Sequence, residues 1–402
     1  MSYLSKLLAL PKTEGIKKGI AHTPAEIRAQ PRLWKENFER LLKRKDDILS
    51  FLVSNTFSKP NPRVILTGAG SSANVGLSVQ NLIRYRWQLD VDTRPTTEII
   101  THWDSVINRN TNNTMISFSR SGNSPESVGA CVLAERLCPE ISHVIVTCNE
   151  RGRLARFGKE KGNALVLSLS KETNDKGLAM TASFTTMLVT AQFLASINDP
   201  SEYEPAVRDL SEATELLFED YSDLLKEIAD IGFTRAMFLG SGCLYGSAVE
   251  SCLKLQEMTG GHIICKAETF LGVRHGPEVV MDDETLVVLS LSSDPTVRKY
   301  EVDLMREIRA KGLGKKTLVI CNKVDKEIER CASYVIEFNR NGVFNITDFH
   351  RPAMDVTVGQ LLGLFKSLAL GLKPDNPGRR GVISRVVRGV KIYDNETLKK
   401  GR

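Results

Sequence analysis

The chain predicts an α/β protein of two tandem doubly wound units with parallel sheets, preceded by an N-terminal helical segment. Two observations carry that expectation. One series of landmarks occurs twice in the 402 residues, and short continuous Val/Ile/Leu runs alternate with longer helical patterns. Val64–Gly76 is an apolar run, a Gly-rich turn and a helix start. Met237–Gly246 repeats that design, with Gly68 and Gly70 matched by Gly240 and Gly242 at an offset of 172. Met115–Ser119 is a strand entering a polar turn, and Leu286–Ser290 is its counterpart at an offset of 171. Val144–Asn149 matches Leu318–Asn322, offset by 173 at the Cys-Asn pair. Three landmarks in one order and nearly one spacing are hard to obtain by chance.

Residues 1–52 read as helical. Thr23, Pro24 and Glu26 fit a capping box with Pro at the first helical position, and Phe38, Leu41, Leu42, Ile48 and Leu52 continue the pattern, with Pro31 placed to interrupt it. Residues 53–198 and 233–375 form the two α/β units, each long enough for its own core, with helical spacing at Ser127–Leu137 and Pro295–Arg309. Between them, residues 199–232 read as a linker helix. Asp199–Asp230 holds eleven acidic and two basic residues, and Leu210, Leu216, Leu217, Leu224 and Leu225 supply an apolar stripe. Residues 376–402 form a tail.

Bulk properties exclude several classes. The composition is that of a globular enzyme, 42% hydrophobic and 25% charged. No apolar run approaches the length of a membrane helix, and Met1–Leu10 is too weak for a secretory signal. A net charge of +6 without a basic tract argues against nucleic acid and suits an anionic metabolite. The eight cysteines contain no C-x-x-C pair, so the chain reads as cytoplasmic with reduced thiols. No His/Asp/Glu spacing forms a ligand set, so no metal is expected.

Ser119–Ser124 follows a strand and precedes a helix. Gly122 permits a tight turn, Ser119, Ser121 and Ser124 offer hydroxyls, and the helix start offers free N–H groups. Ser71 and Ser72 would lie at the same sheet edge. A single Ser-Gly turn would be only a cap; three serines about a glycine favour a phosphate. The second copy, Ser290–Pro295, lacks the glycine and carries Asp294, which suggests one phosphate site per chain. In the second unit, Glu250, Lys254 and Glu257 recur at i, i+4 and i+7 on one helix face. They read either as a proton-transfer pair beside a carbonyl or as a surface ladder. His275 sits between Arg274 and Gly276-Pro277, on a loop that presents a side chain. His262 and His350 are the reserves.

These residues resemble the sugar-isomerase (SIS) superfamily, flavodoxin-like in fold, and the isomerase half of glucosamine-6-phosphate synthase over roughly residues 24–395. The resemblance makes Ser119–Ser124 the sugar-phosphate loop, with Ser71, Ser72, Arg120, Ala179 (in Leu178–Thr185) and Arg388 about the sugar. It makes Glu257 the base, with Lys254 beside it, and His275 the ring-opening group reaching a partner subunit's site, so at least a homodimer is implied. Two departures stand out. Ser2 replaces the nucleophilic Cys of a glutaminase domain, and Arg388 stands where the synthase has its imine-forming lysine, which arginine cannot replace chemically. The closer likeness is to the tandem-SIS galactosamine-catabolic family called AgaS, through Glu26–Pro31, the Ser119–Ser124 loop with Pro125 and Glu126, and the tail Pro374–Gly378 and Val390–Tyr393. That family implies isomerising deamination of D-galactosamine 6-phosphate to D-tagatose 6-phosphate and ammonia, without a cofactor. Two alternatives remain open from the residues: aldose–ketose isomerisation of a non-amino sugar phosphate, and a non-catalytic sugar-phosphate sensor.

Overall fold

The structure, a computed structural model, describes residues 1–378, 382–387 and 389–393. The first sheet contains β1 (Pro62–Thr67), β2 (Asp90–Thr93), β3 (Asn112–Ser119), β4 (Ser142–Thr147) and β5 (Ala164–Ser168) in the order β2-β1-β3-β4-β5. The second contains β6 (Arg235–Leu239), β7 (Ile264–Glu268), β8 (Thr285–Ser290), β9 (Lys316–Cys321) and β10 (Tyr334–Glu337) in the order β7-β6-β8-β9-β10. All pairings are parallel. Both sheets therefore have the doubly wound order, with a switch point beside the first strand of each.

The helices that cover the sheets and build their crevices are α1 (Thr23–Leu42), α2 (Ser71–Trp87), α3 (Pro125–Leu137), α4 (Ala182–Ala195), α5 (Glu204–Asp230), α6 (Cys243–Met258), α7 (Pro295–Lys311) and α8 (Pro352–Ala369). Every residue of α4 is buried, its polar side chains included, as where Thr190 meets Asn37 and Gln192 meets Tyr203.

The two units do not keep separate cores. Even-numbered residues of the central strands β1, β3, β4, β6, β8 and β9, among them Val64, Phe118, Val144, Phe238, Val288 and Ile320, join one continuous apolar cluster together with α4 and α8. Odd-numbered residues of these strands face outward into two smaller clusters, Ile65 and Met115 in one, Met237 and Val287 in the other. The strict alternation is the period-2 geometry of a strand, and the shared layer fixes one sheet against the other.

Three expectations at element level are corrected. Pro31 does not interrupt the first helix; α1 runs through it. Proline removes the N–H that would reach the Ile27 carbonyl, and the buried Gln30 side chain donates to that carbonyl instead, at 2.9 Å. The capping box does not form either. Thr23 donates its N–H and hydroxyl to Asp375 (2.8 and 2.7 Å), while Glu26 accepts from the Lys176 N–H at 2.5 Å. In α5, Leu210, Leu217 and Leu225 are buried as expected, but Leu216 is exposed. Among the described residues, no helix is long and apolar enough to cross a membrane.

Candidate active site

Helices α2 and α6 each begin at a Gly-rich turn at the carboxyl edge of their own sheet. Gly70 and Gly242 adopt one conformation there (φ 56°, ψ −129° and φ 58°, ψ −125°), a left-handed geometry open to glycine. The helices then cross antiparallel: Gly246 abuts Ser78, Glu250 meets Asn74 and Lys254 meets Ser71. A Cβ on Gly246 would lie 2.4 Å from the Ser78 nitrogen, so only glycine permits this approach. The consequence is an exchange: the last turns of α6, from the second unit, lie over the first sheet's crevice.

That exchange buries the Glu250–Lys254–Glu257 face. The Lys254 ammonium donates to Ser71 Oγ at 2.9 Å and lies 3.2 Å from Glu250 Oε1 and 2.5 Å from Glu257 Oε2. Asn74 Nδ2 donates to the other Glu250 oxygen at 2.8 Å. The side chains of Glu250 and Lys254 are 0% exposed and that of Glu257 is 26% exposed. The surface-ladder reading is thus overturned, because the partner helix covers the face. Desolvation would lower the Lys254 ammonium, but Glu250 and Glu257 outweigh it and hold its pKa above the ordinary value. Desolvation raises the Glu250 carboxyl despite Lys254 and Asn74. Lys254 therefore stays charged and offers Glu257 a fixed hydrogen-bond donor on its buried side.

The Ser119–Ser124 loop lies at the end of β3, where Gly122 has φ 61°. Ser119 Oγ accepts from the Gly122 N–H at 3.1 Å, Ser121 Oγ from the Asn123 N–H at 3.2 Å, and Ser124 Oγ caps α3 through the Ser127 N–H at 3.3 Å. The turn-forming role is real, and Asn149 Nδ2 braces the loop through the Ser121 carbonyl at 2.8 Å. Ser71, Ser72 and Ser119 are buried at this edge. Arg120 is buried and donates to the carbonyls of Leu178 (3.1 Å) and Arg385 (2.7 Å), so its guanidinium holds backbone. Desolvation lowers its pKa, opposed by the charges of Asp175 and Glu257 among others.

The remaining candidates occupy varied settings. Ala179 is buried, in a segment tied down by Asp175, which accepts from the N–H groups of Thr181, Ala182 and Ser183 at 3.0 Å each. His275 is exposed on a short helical turn ahead of Gly276 and is not brought into the Lys254–Glu257 cluster of its own chain. His262 is exposed. His350 is buried against Tyr203, and desolvation lowers its pKa to about 4, which makes it a structural group. Arg388 lies outside the described residues. Among those residues, no His/Cys/Asp/Glu group is arranged to hold a metal ion.

Sequence reading also missed residues. Asn74 was hidden because its partner is 176 positions away. Asp348 was missed in the second loop: it accepts from the Ser293 N–H at 2.9 Å and from the Ser292 hydroxyl. Asp294, expected to occupy the phosphate's place, instead caps α7.

Comparison with known proteins meets this geometry. D-galactosamine-6-phosphate deaminase AgaS of Escherichia coli is 34% identical over 372 residues, covering 92% of this chain and 95% of that protein. The chain belongs to the AgaS family. A crystal structure from Clostridium novyi, provisionally named tagatose-6-phosphate ketose/aldose isomerase, superposes with a TM-score of 0.92 at 36% identity, covering 96% of this chain and 99% of that one. The C-terminal domain of a Francisella tularensis glucosamine-fructose-6-phosphate aminotransferase shares the fold, with a TM-score of 0.70 at 20% identity, over 88% of this chain and 98% of that one. No protein-family model matches the chain.

Proposed function

We propose that this AgaS-family chain is an amino-sugar-phosphate deaminase that converts D-galactosamine 6-phosphate and water to D-tagatose 6-phosphate and ammonia. The observation that carries the reading is the buried Lys254 ammonium joining Glu257 to Ser71, with Ser71 and Ser119 buried at one sheet edge. The deaminase name borne by the E. coli relative supplies the substrate.

The 6-phosphate binds the hydroxyls and N–H groups of Ser119, Ser121 and Ser124 at the start of α3, with Ser71 and Ser72 alongside. His275, supplied by a partner chain in a homodimer or larger homo-oligomer, assists ring opening. The C1 aldehyde acidifies the C2 proton, and the substrate's own carbonyl takes up the electron pair. Glu257 removes that proton and returns it to C1 through an enolamine. The resulting C2 imine is hydrolysed by water to the ketose and ammonia. Lys254, whose N–H groups are engaged by Ser71, Glu250 and Glu257, fixes the Glu257 carboxylate. Arg120 and Ala179 shape the crevice wall, and Arg388 takes no part in imine formation. The reaction takes place in the cytoplasm.

A second reading is ketose–aldose isomerisation, favoured by the name of the C. novyi structure. Ammonia release from D-galactosamine 6-phosphate, measured beside interconversion of galactose 6-phosphate and tagatose 6-phosphate, separates the two. Ammonia release at least as fast as isomerisation supports deamination. Isomerisation with no ammonia from any amino-sugar phosphate would overturn it.

A further inference from the structure

The antiparallel exchange that completes the first crevice creates a second one. A cavity of about 530 Å³ opens at the carboxyl ends of β6, β8 and β9, at the switch point of the second sheet, where doubly wound folds take ligands. Its volume is that of a small-molecule site. As α6 reaches over the first crevice, α2 reaches over this one: Asn81 lines it, and Tyr85 stacks on the lining residue Phe349 with ring centroids 5.3 Å apart.

The chemistry of the second crevice is inverted. Where the first loop turns its N–H groups to serine hydroxyls, here the Ser293 N–H donates to both oxygens of Asp348 (2.9 and 3.0 Å), and the Ser292 N–H donates to Glu301 at 2.6 Å. Carboxylates of the chain itself occupy these N–H groups. Asp294 and Asp348 line the cavity, and no Lys, Arg or His does among the described residues. Arg351 stands 3.5 Å from Asp348 and is bound in turn to Asp355 and to the Leu291 carbonyl. Carboxylates outnumber cations, so the field repels a phosphate and favours an ammonium. Phe349, stacked on Tyr85, supplies an aromatic wall. Asn81 and Asn322 offer amides, and Ser293 Oγ is buried without a hydrogen-bond partner among the described residues. Carried over by 172 positions, Lys254 and Glu257 fall on Leu82 and Tyr85, which supply no acid–base pair.

We propose that this crevice binds an unphosphorylated amino sugar without transforming it. The claim rests on the second crevice alone and stands whatever reaction the first performs.

The test is calorimetric titration of the full chain with D-galactosamine, D-galactose and inorganic phosphate, in the wild type and two variants. Val297→Trp fills the second crevice and Ser121→Tyr blocks the first loop. Galactosamine is expected to bind saturably and more tightly than galactose. Val297→Trp should weaken galactosamine by about tenfold or more, and Ser121→Tyr should leave it unchanged. Val297→Trp should also keep ammonia release, which separates this inference from the reading of the first site. No saturable binding of galactosamine, equal binding in Val297→Trp, or loss in Ser121→Tyr would each overturn the proposal. If circular dichroism shows that Val297→Trp does not fold, Asn322→Ala, which adds no bulk, takes its place with the same expected weakening.

Discussion

Lys254 is the residue on which the site turns. It is fully buried with two carboxylates and a hydroxyl as partners, so its removal leaves Glu250 buried without a countercharge. Lys254→Met should therefore cost about 3–5 kcal/mol of stability, read as a lower denaturant midpoint. An unchanged midpoint would mean that Glu250 is neutral in the fold. Glu257 is partly exposed, so Glu257→Gln should keep the fold and lower ammonia release by roughly 10²–10⁴-fold. A fully active variant would remove Glu257 from the mechanism. The spacing of 250, 254 and 257 was legible as one helix face. Its burial was not, because Ser71 and Asn74 stand far up the chain and no local periodicity reports them.

At the scale of elements, two helices depend on contacts that their own sequences do not announce. α1 survives Pro31 because Gln30 replaces the missing donor and also bonds Gln360 (2.7 Å) and Thr185 (2.7 Å). Gln30→Leu should leave these groups unpaired at a cost of about 1–3 kcal/mol, measured as a fall in Tm. A neutral effect would show that the Ile27 carbonyl has another donor. The α2–α6 crossing needs Gly246. Gly246→Ala should push the helices apart, costing roughly 1–3 kcal/mol and lowering kcat, because Lys254 and Ser71 separate. A stable variant with wild-type kcat would refute that link. Helix positions followed from periodicity and Gly-rich turns; the crossing is a matter of packing, which periodicity does not encode.

Across the whole molecule, one apolar layer unites the sheets, and buried titratable groups set the pH range in which it holds. Glu26 is raised from 4.5 to about 7 by desolvation and then by Asp175. The folded state binds this proton more tightly than the unfolded state, so stability falls as pH rises from 4.5 through about 7. His143 and His350 are lowered from 6.5 to about 4 by desolvation. For them the unfolded state binds the proton more tightly, so stability falls as pH drops from 6.5 through about 4. Glu26→Gln should therefore raise Tm at pH 8 and change it little at pH 4.5. A Tm gain that is the same at both pH values would show that Glu26 is not protonated in the fold.

By itself the sequence determined the two doubly wound units, the loop at Ser119–Ser124 and the residue types of the Glu250–Lys254–Glu257 face. Each is a local pattern: a strand period, a turn chemistry, a helical spacing. Only the tertiary structure decided that the units share a core, that the Glu250–Lys254–Glu257 face is buried, and that Asp348 fills the second loop. Those facts depend on which distant surfaces meet, and the antiparallel meeting of α2 and α6 at Gly246 brings the second unit's charges to the first unit's crevice.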